Sequence, residues 1–278
     1  MDRLQLDKNA KLTGRVYFKD EVMWLGLSGT GASFTFDGTK LVLKLKGDNI
    51  AVGDNPIDYA RIAVYVDGKR VVDEMINCAE KEVTVIDRTE NARSVVEIIK
   101  LSESPMSAVG IEAFAEGSAE ALPEKPLKIE FIGDSITCGY GVDDEDENHQ
   151  FTTATEDVTK AYAYKTAKAL DAEYSMFSAS GYGIISGYTE GDEPISEQTI
   201  PQFYCSYGFS RGNFAGTAPQ DIPWDFSKYI PQIIVINLGT NDDSYYRDYR
   251  LFSQSFMLIF LRSFVRKIRR LTFSALLE

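Results

Sequence analysis

Apolar and polar residues alternate along the first part of the chain. Leu41, Leu43 and Leu45 are spaced by Val42, Lys44 and Lys46, the period-two pattern of a strand with one buried face. Ile62 to Val66 and Arg70 to Val72 flank Asp67-Gly68, a two-residue turn that needs positive φ and predicts a hairpin. Lys81 to Ile86 and Val95 to Leu101 read as two further strands. From about Leu12 to Phe114 there is almost no helical periodicity, so a β-sandwich, jelly-roll-like, is expected over residues 1–116. Gly117 to Pro126 is small, acidic and proline-bearing, which reads as a linker.

Beyond the linker the pattern becomes βα. The run Leu127 to Ile132 stops at Gly133-Asp134-Ser135, and Thr159 to Leu170 has Ala and Leu at helical spacing. Tyr174 to Phe177 is a second strand that runs into Ser178-Ala-Ser-Gly-Tyr-Gly183. After an irregular aromatic stretch from Tyr188 to Phe226, Gln232 to Leu238 is continuously apolar, as in the middle of a parallel sheet, and ends at Gly239-Thr-Asn-Asp-Asp243. Three strands therefore each end in a small, polar loop, and such loops are where parallel sheets bind and react.

Composition narrows the class. The chain has 278 residues, 44% of them hydrophobic and 26% charged, which suits a folded globular protein. A net charge of −13 argues against nucleic acid as a partner. The N-terminus has no apolar signal core and no run spans a bilayer unbroken by charge, so no membrane partner is expected. Cys78, Cys138 and Cys205 are widely spaced, suggest neither a metal site nor a disulfide framework, and make a reduced, cytoplasmic setting the default. Nothing in the residues fixes an oligomeric state. From Tyr249 onward six basic residues face one acidic residue, reversing the sign of the chain, and the apolar positions from Ile259 to Leu271 suit one face of a helix.

Ser135 is the sharpest candidate for chemistry. A serine hydroxyl becomes a nucleophile when a base takes its proton and donors stabilise the oxyanion that follows. Gly-Asp-Ser alone is equally a turn or a helix cap. Two other strand ends shift that balance: Gly181 can bring a backbone N–H close to a substrate, and Asn241 can donate a side-chain N–H to the same point. Asp134 and Asp242 suit loop-holding by local hydrogen bonds better than a metal cluster, so no metal or cofactor is expected. His149 is the single histidine, and the acidic stretch from Asp143 to Glu147 beside it favours its charged form, so a surface or pocket-lining place is expected rather than that of a base.

The blocks Gly133-Asp134-Ser135, Ser180-Gly181 and Gly239-Thr240-Asn241-Asp242 resemble, in order and spacing, the first three of the four signature blocks of the SGNH (GDSL-type) hydrolases. The first half, with Trp24 to Gly31, Phe34 to Thr39 and Glu97 to Glu103, and later Phe151 to Glu156 and Trp224 to Phe226, is similar to the carbohydrate esterase family 2 branch. The resemblance implies a three-layer α/β domain with a flavodoxin-like parallel sheet over residues 127–246. It also implies a metal-free esterase acting on acetylated carbohydrate, of the acetylxylan type. Ser135 would be the nucleophile, and its own N–H, Gly181 and Asn241 the oxyanion hole. Trp224 would lie beside the site, stacking on a sugar or packing under the long loop. The family's fourth block, Asp-x-x-His, has no counterpart from Ser244 to Glu278. The α/β domain is therefore expected to be incomplete, with residues 247–278 an atypical basic tail and activity impaired. A glycan-binding protein without catalysis is the alternative.

Overall fold

A computed structural model describes residues 1–246. Nine strands form one antiparallel sheet: β1 (Asp2–Leu4), β2 (Lys11–Thr13), β3 (Val16–Lys19), β4 (Val22–Leu25), β5 (Gly31–Gly47), β6 (Ala60–Val66), β7 (Lys69–Ile76), β8 (Glu80–Lys100) and β9 (Val109–Ala121). The main path runs β3-β4-β9-β5-β8-β6-β7, with β1 on β9 and β2 on β5. The long strand β5 shifts register between Gly38 and Lys40. Because side chains alternate with period two, that shift moves burial from Phe34 and Phe36 to Leu41, Leu43 and Leu45, all fully buried. Both halves of the strand thus feed one apolar core that runs from Leu6 to Ala115.

Two expectations from the sequence change in detail. The runs at Lys81 and Val95 are the two ends of the single strand β8, whose exposed polar middle still pairs with β5 through Asp87 and Ala92. The stretch read as a linker is in part strand: Gly117 to Ala121 closes β9, with Ala121 opposite Phe34. Small residues suit that place, since a Cβ on Gly117 would meet the Asp37 carbonyl oxygen at 2.4 Å. The Asp67-Gly68 hairpin forms as expected, with both residues at positive φ (50° and 78°) between Val66 and Lys69.

The second unit is a parallel sheet ordered β11-β10-β12, from β10 (Lys128–Gly133), β11 (Glu173–Ser178) and β12 (Ile233–Asn237). Its α-helices are α2 (Ser135–Cys138), α3 (Tyr162–Ala169), α4 (Ile200–Phe203) and α5 (Thr240–Tyr246); α1 (Leu6–Asn9) belongs to the first unit. Helix α3 starts later than its sequence periodicity suggests because Val158–Lys160 form a 3-10 turn, whose Thr159 N–H donates to Asp157. Among the described residues no helix is long and apolar enough to cross a membrane. The basic tail expected over residues 247–278 lies outside the described residues.

The two units meet along a seam in which buried polar groups lie among apolar clusters drawn from both: Ile99 and Leu101 with Ile129 and Phe131, and Trp24 with Tyr207 and Phe214. Arg15, between β2 and β3, reaches under β10 and β11, donating to the carbonyls of Tyr204 and Ser206 and facing Glu130 at 3.4 Å. Its guanidinium lies 4.4 Å from the Phe177 ring centroid. Arg61 and Arg70 pair with Asp143 and Asp157, and the Tyr207 hydroxyl donates to the Trp24 carbonyl.

Candidate active site

The site is set by register. Gly133 at the end of β10 lies beside Ser178 of β11 and Asn237 of β12, and neighbouring strands are about 4.8 Å apart. The loops that follow therefore leave the same end of the sheet side by side.

Behind β10 the turn is tight. A Cβ on Gly133 would fall 2.0 Å from the Thr137 hydroxyl oxygen, so only glycine lets the chain swing Ser135 out. Asp134 caps the single turn of α2 by accepting the Ile136 N–H at 3.0 Å, and Gly139 ends it in the left-handed region at φ 82°. Ser135 is half-buried, and neither its hydroxyl nor its N–H bonds another described residue.

Gly181 has φ 78° with open space where a side chain would stand, so the backbone conformation demands glycine there. Its carbonyl accepts from Tyr188, and its N–H has no partner among the described residues. Asn241 is buried and gives one of its two amide N–H groups to the Tyr182 carbonyl at 2.8 Å. Its second N–H remains to donate.

Asp242 works at longer range than its sequence context suggests. It is fully buried and accepts the N–H groups of Ile184 (2.9 Å), Ile185 (2.7 Å) and Ser186 (3.1 Å), which ties the loop after Gly181 to the start of α5. Burial pushes its carboxyl up, and those three N–H groups pull it back. Burial likewise raises Asp134, opposed by the Ile136 N–H, with a smaller push from the Asp242 charge. The aspartates of the first and third blocks thus sense each other across the site.

For Trp224 the sequence leaves two places open, beside the site or packed under the long loop. The indole lines a groove with Lys128 and Glu173, the first residues of β10 and β11, at the end of the sheet opposite Ser135. Its backbone N–H donates to the Cys205 carbonyl and the Arg15 guanidinium lies 5.2 Å from its half-buried ring, which fixes it there. His149 is 65% exposed and its Nδ1 meets Asp144 at 2.9 Å, the surface position expected for it.

Sequence reasoning missed the residues beneath the loops. Glu103 and Glu156 are fully buried, as are Lys100 and Cys138. Burial raises both carboxyls, Glu156 furthest with the Glu103 charge adding to it. Lys100 is pulled down to about 8 by burial, against Glu156 and Glu103. Among the described residues Glu103, Cys138 and Glu156 are the set that could hold a cation, with donor atoms within 4.8 Å of one another. The Lys100 ammonium, donating to the Ser102 and Glu103 carbonyls, already supplies positive charge beside them.

Comparison with known proteins shows what this chain is similar to. Residues 12–126 match the carbohydrate esterase 2 N-terminal family. Beyond that match, the chain is similar in sequence and fold to carbohydrate esterases. The cellulase/esterase CelE of Acetivibrio thermocellus is 32% identical over 220 residues, covering 78% of this chain and 24% of that protein. An acetylxylan esterase / glucomannan deacetylase of Cellvibrio japonicus is 29% identical over 245 residues, 86% of this chain and 62% of that protein. The chain thus spans less than two thirds of either relative. A solved family two carbohydrate esterase from Clostridium thermocellum, in complex with cellohexaose, superposes with TM-score 0.72 at 26% identity, covering 94% of this chain and 74% of that one. One from Cellvibrio japonicus shares the fold with TM-score 0.79 at 24% identity, over 99% of this chain and 78% of that one.

Proposed function

We propose that the chain is a serine-dependent carbohydrate esterase that hydrolyses acetyl esters on xylan-type polysaccharide. The observation that carries this reading is a set of donors with no partner among the described residues at the ends of three adjacent strands: the N–H groups of Ser135 and Gly181 and the second amide N–H of Asn241. The names of the relatives supply the substrate class. Ser135 Oγ attacks the acetyl carbonyl carbon and the three donors take up the charge on its oxygen. The sugar leaves as an alcohol, and water then cleaves the acetyl-serine to acetate and free serine.

The Ser135 proton sets the rate. The single histidine is held by Asp144 and makes no bond to Ser135, so turnover of these 278 residues rests on the oxyanion hole. In other serine hydrolases that remnant is about 10³–10⁴-fold over water. The same observation favours a second reading, a glycan-binding protein without catalysis.

Acetate release from acetylated xylo-oligosaccharide separates them. Slow release by the wild type, unchanged in His149→Ala and lost in Ser135→Ala, is the expected outcome. Release no faster than that of Ser135→Ala, with oligosaccharide affinity intact, would replace the esterase reading with the binding one.

A further inference from the structure

The connection from β8 to β9, Leu101 to Ala108, belongs to the antiparallel unit, yet every residue in it is buried. Its Ser104 hydroxyl donates to the Phe209 carbonyl, and the Val158 N–H donates to its Leu101 carbonyl, so it is wedged into the α/β unit. At its centre Glu103 turns its carboxylate toward the parallel sheet. Oε2 accepts the Ser180 N–H at 2.5 Å and lies 3.7 Å from the Cys138 thiol. Ser180 immediately precedes Gly181, and Cys138 sits one turn after Ser135 on α2. One carboxylate oxygen therefore touches two of the three segments that would build the oxyanion hole.

Glu103 is itself fixed. Its own N–H donates to Glu156 Oε2 at 2.9 Å, and its carbonyl accepts from Lys100 Nζ at 2.9 Å. The Cys138 thiol also reaches the Ser178 hydroxyl at 3.2 Å, closing a buried network across the ends of β10 and β11. The blocks Glu97 to Glu103 and Phe151 to Glu156 end in the two glutamates that meet here. A carboxylate on a buried peptide N–H is a strong, oriented bond, and removing it leaves that N–H unsatisfied.

We propose that Glu103 is a positioning residue by which the antiparallel unit holds the Ser180–Gly181 turn, and so aims the Gly181 N–H at the oxyanion. That aim rests on the esterase reading; the hold on the turn does not. The first unit is on this account part of the site's framework, through an acceptor supplied by the connection from β8 to β9.

Two measurements on Glu103→Ala and Glu103→Gln test it. One is amide hydrogen exchange over residues 178–183; the other is the rate at which a fluorophosphonate labels Ser135, with Ser135→Ala as blank. Alanine removes the acceptor, so exchange at Ser180 and Gly181 rises and labelling slows, each by about tenfold to hundredfold. Glutamine keeps an acceptor oxygen and restores both to within about threefold. Where alanine prevents folding, Glu103→Asp withdraws the carboxylate by one methylene and is compared with glutamine in its place. Exchange at 178–183 unchanged by the loss, or raised evenly through the antiparallel unit, overturns the proposal, as does a glutamine variant no better than alanine. Absence of labelling in the wild type sinks the esterase reading alone, and the exchange data then decide the role of Glu103.

Discussion

The interior of the antiparallel unit and the seam between the units are both buried, and they differ in one ingredient. The first is apolar from Leu6 to Ala115. The second has apolar clusters too, and among them it buries Arg15, Lys100, Glu103, Glu130, Glu156 and Asp157, each no more than 4% exposed. Apolar packing is non-directional and tolerates repacking, so it supplies stability without fixing one relative placement. A buried charge is costly unless each partner stands where it is needed, so the seam defines how one unit sits on the other. The difference matters because the loops carrying Ser135 and Gly181 rest on the seam, not on the apolar core.

The largest expected effect is at Arg15. Arg15→Ala leaves Glu130 buried with only the Tyr204 hydroxyl, and breaking a buried pair costs about 3–5 kcal/mol. Chemical denaturation should show that loss, with Arg15→Met recovering part of it by filling the space between Phe177 and Tyr204. A loss under 1 kcal/mol, the scale of an exposed pair, would mean that the seam contributes no more than a surface. Next comes Leu43→Ala in the apolar core, at about 2–5 kcal/mol of stability. Labelling of Ser135 per folded molecule should be unchanged; a slower rate would show that the core, too, positions the site.

The smallest effect is a pH dependence. Glu156 is raised well above its usual value by burial first and the Glu103 charge second. A carboxyl with a raised folded-state pKa binds its proton more tightly in the folded chain. Its contribution is therefore full below the unfolded value, about 4.5, and is lost as pH rises through the folded one. Glu156→Gln keeps an acceptor for the Glu103 N–H and removes the titration. Its melting temperature should match the wild type near pH 4 and exceed it by about 2–4 °C at pH 8, the scale of 1 kcal/mol in a chain of this size. Parallel curves from pH 4 to 8 would place the retained proton elsewhere.

Much of the fold is legible in the residues because its causes are local. The alternation at Leu41, Leu43 and Leu45 dictates a strand, Asp67-Gly68 dictates a hairpin, and Gly133 before Ser135 dictates a sharp exit from β10. The same holds for Ser135, Gly181 and Asn241, each marked by its place after an apolar run. Two places stay open for Trp224 because an aromatic residue in a long loop carries no periodicity; its backbone bond to Cys205 and its contact with Arg15 are tertiary. Gly117 to Ala121 misread as linker because small residues look alike in a loop and in a crowded strand.

The sequence by itself determined the two kinds of sheet, the order of their strands along the chain and the three residues presented at one end. Tertiary structure alone decided what lies beneath them. Glu103 and Glu156 are 53 positions apart and a bond joins them; the blocks that end in them carry a resemblance, but no local pattern tells that either carboxyl is buried. Periodicity and turn chemistry act over a few residues, whereas the placement of a buried charge depends on partners that only folding brings together.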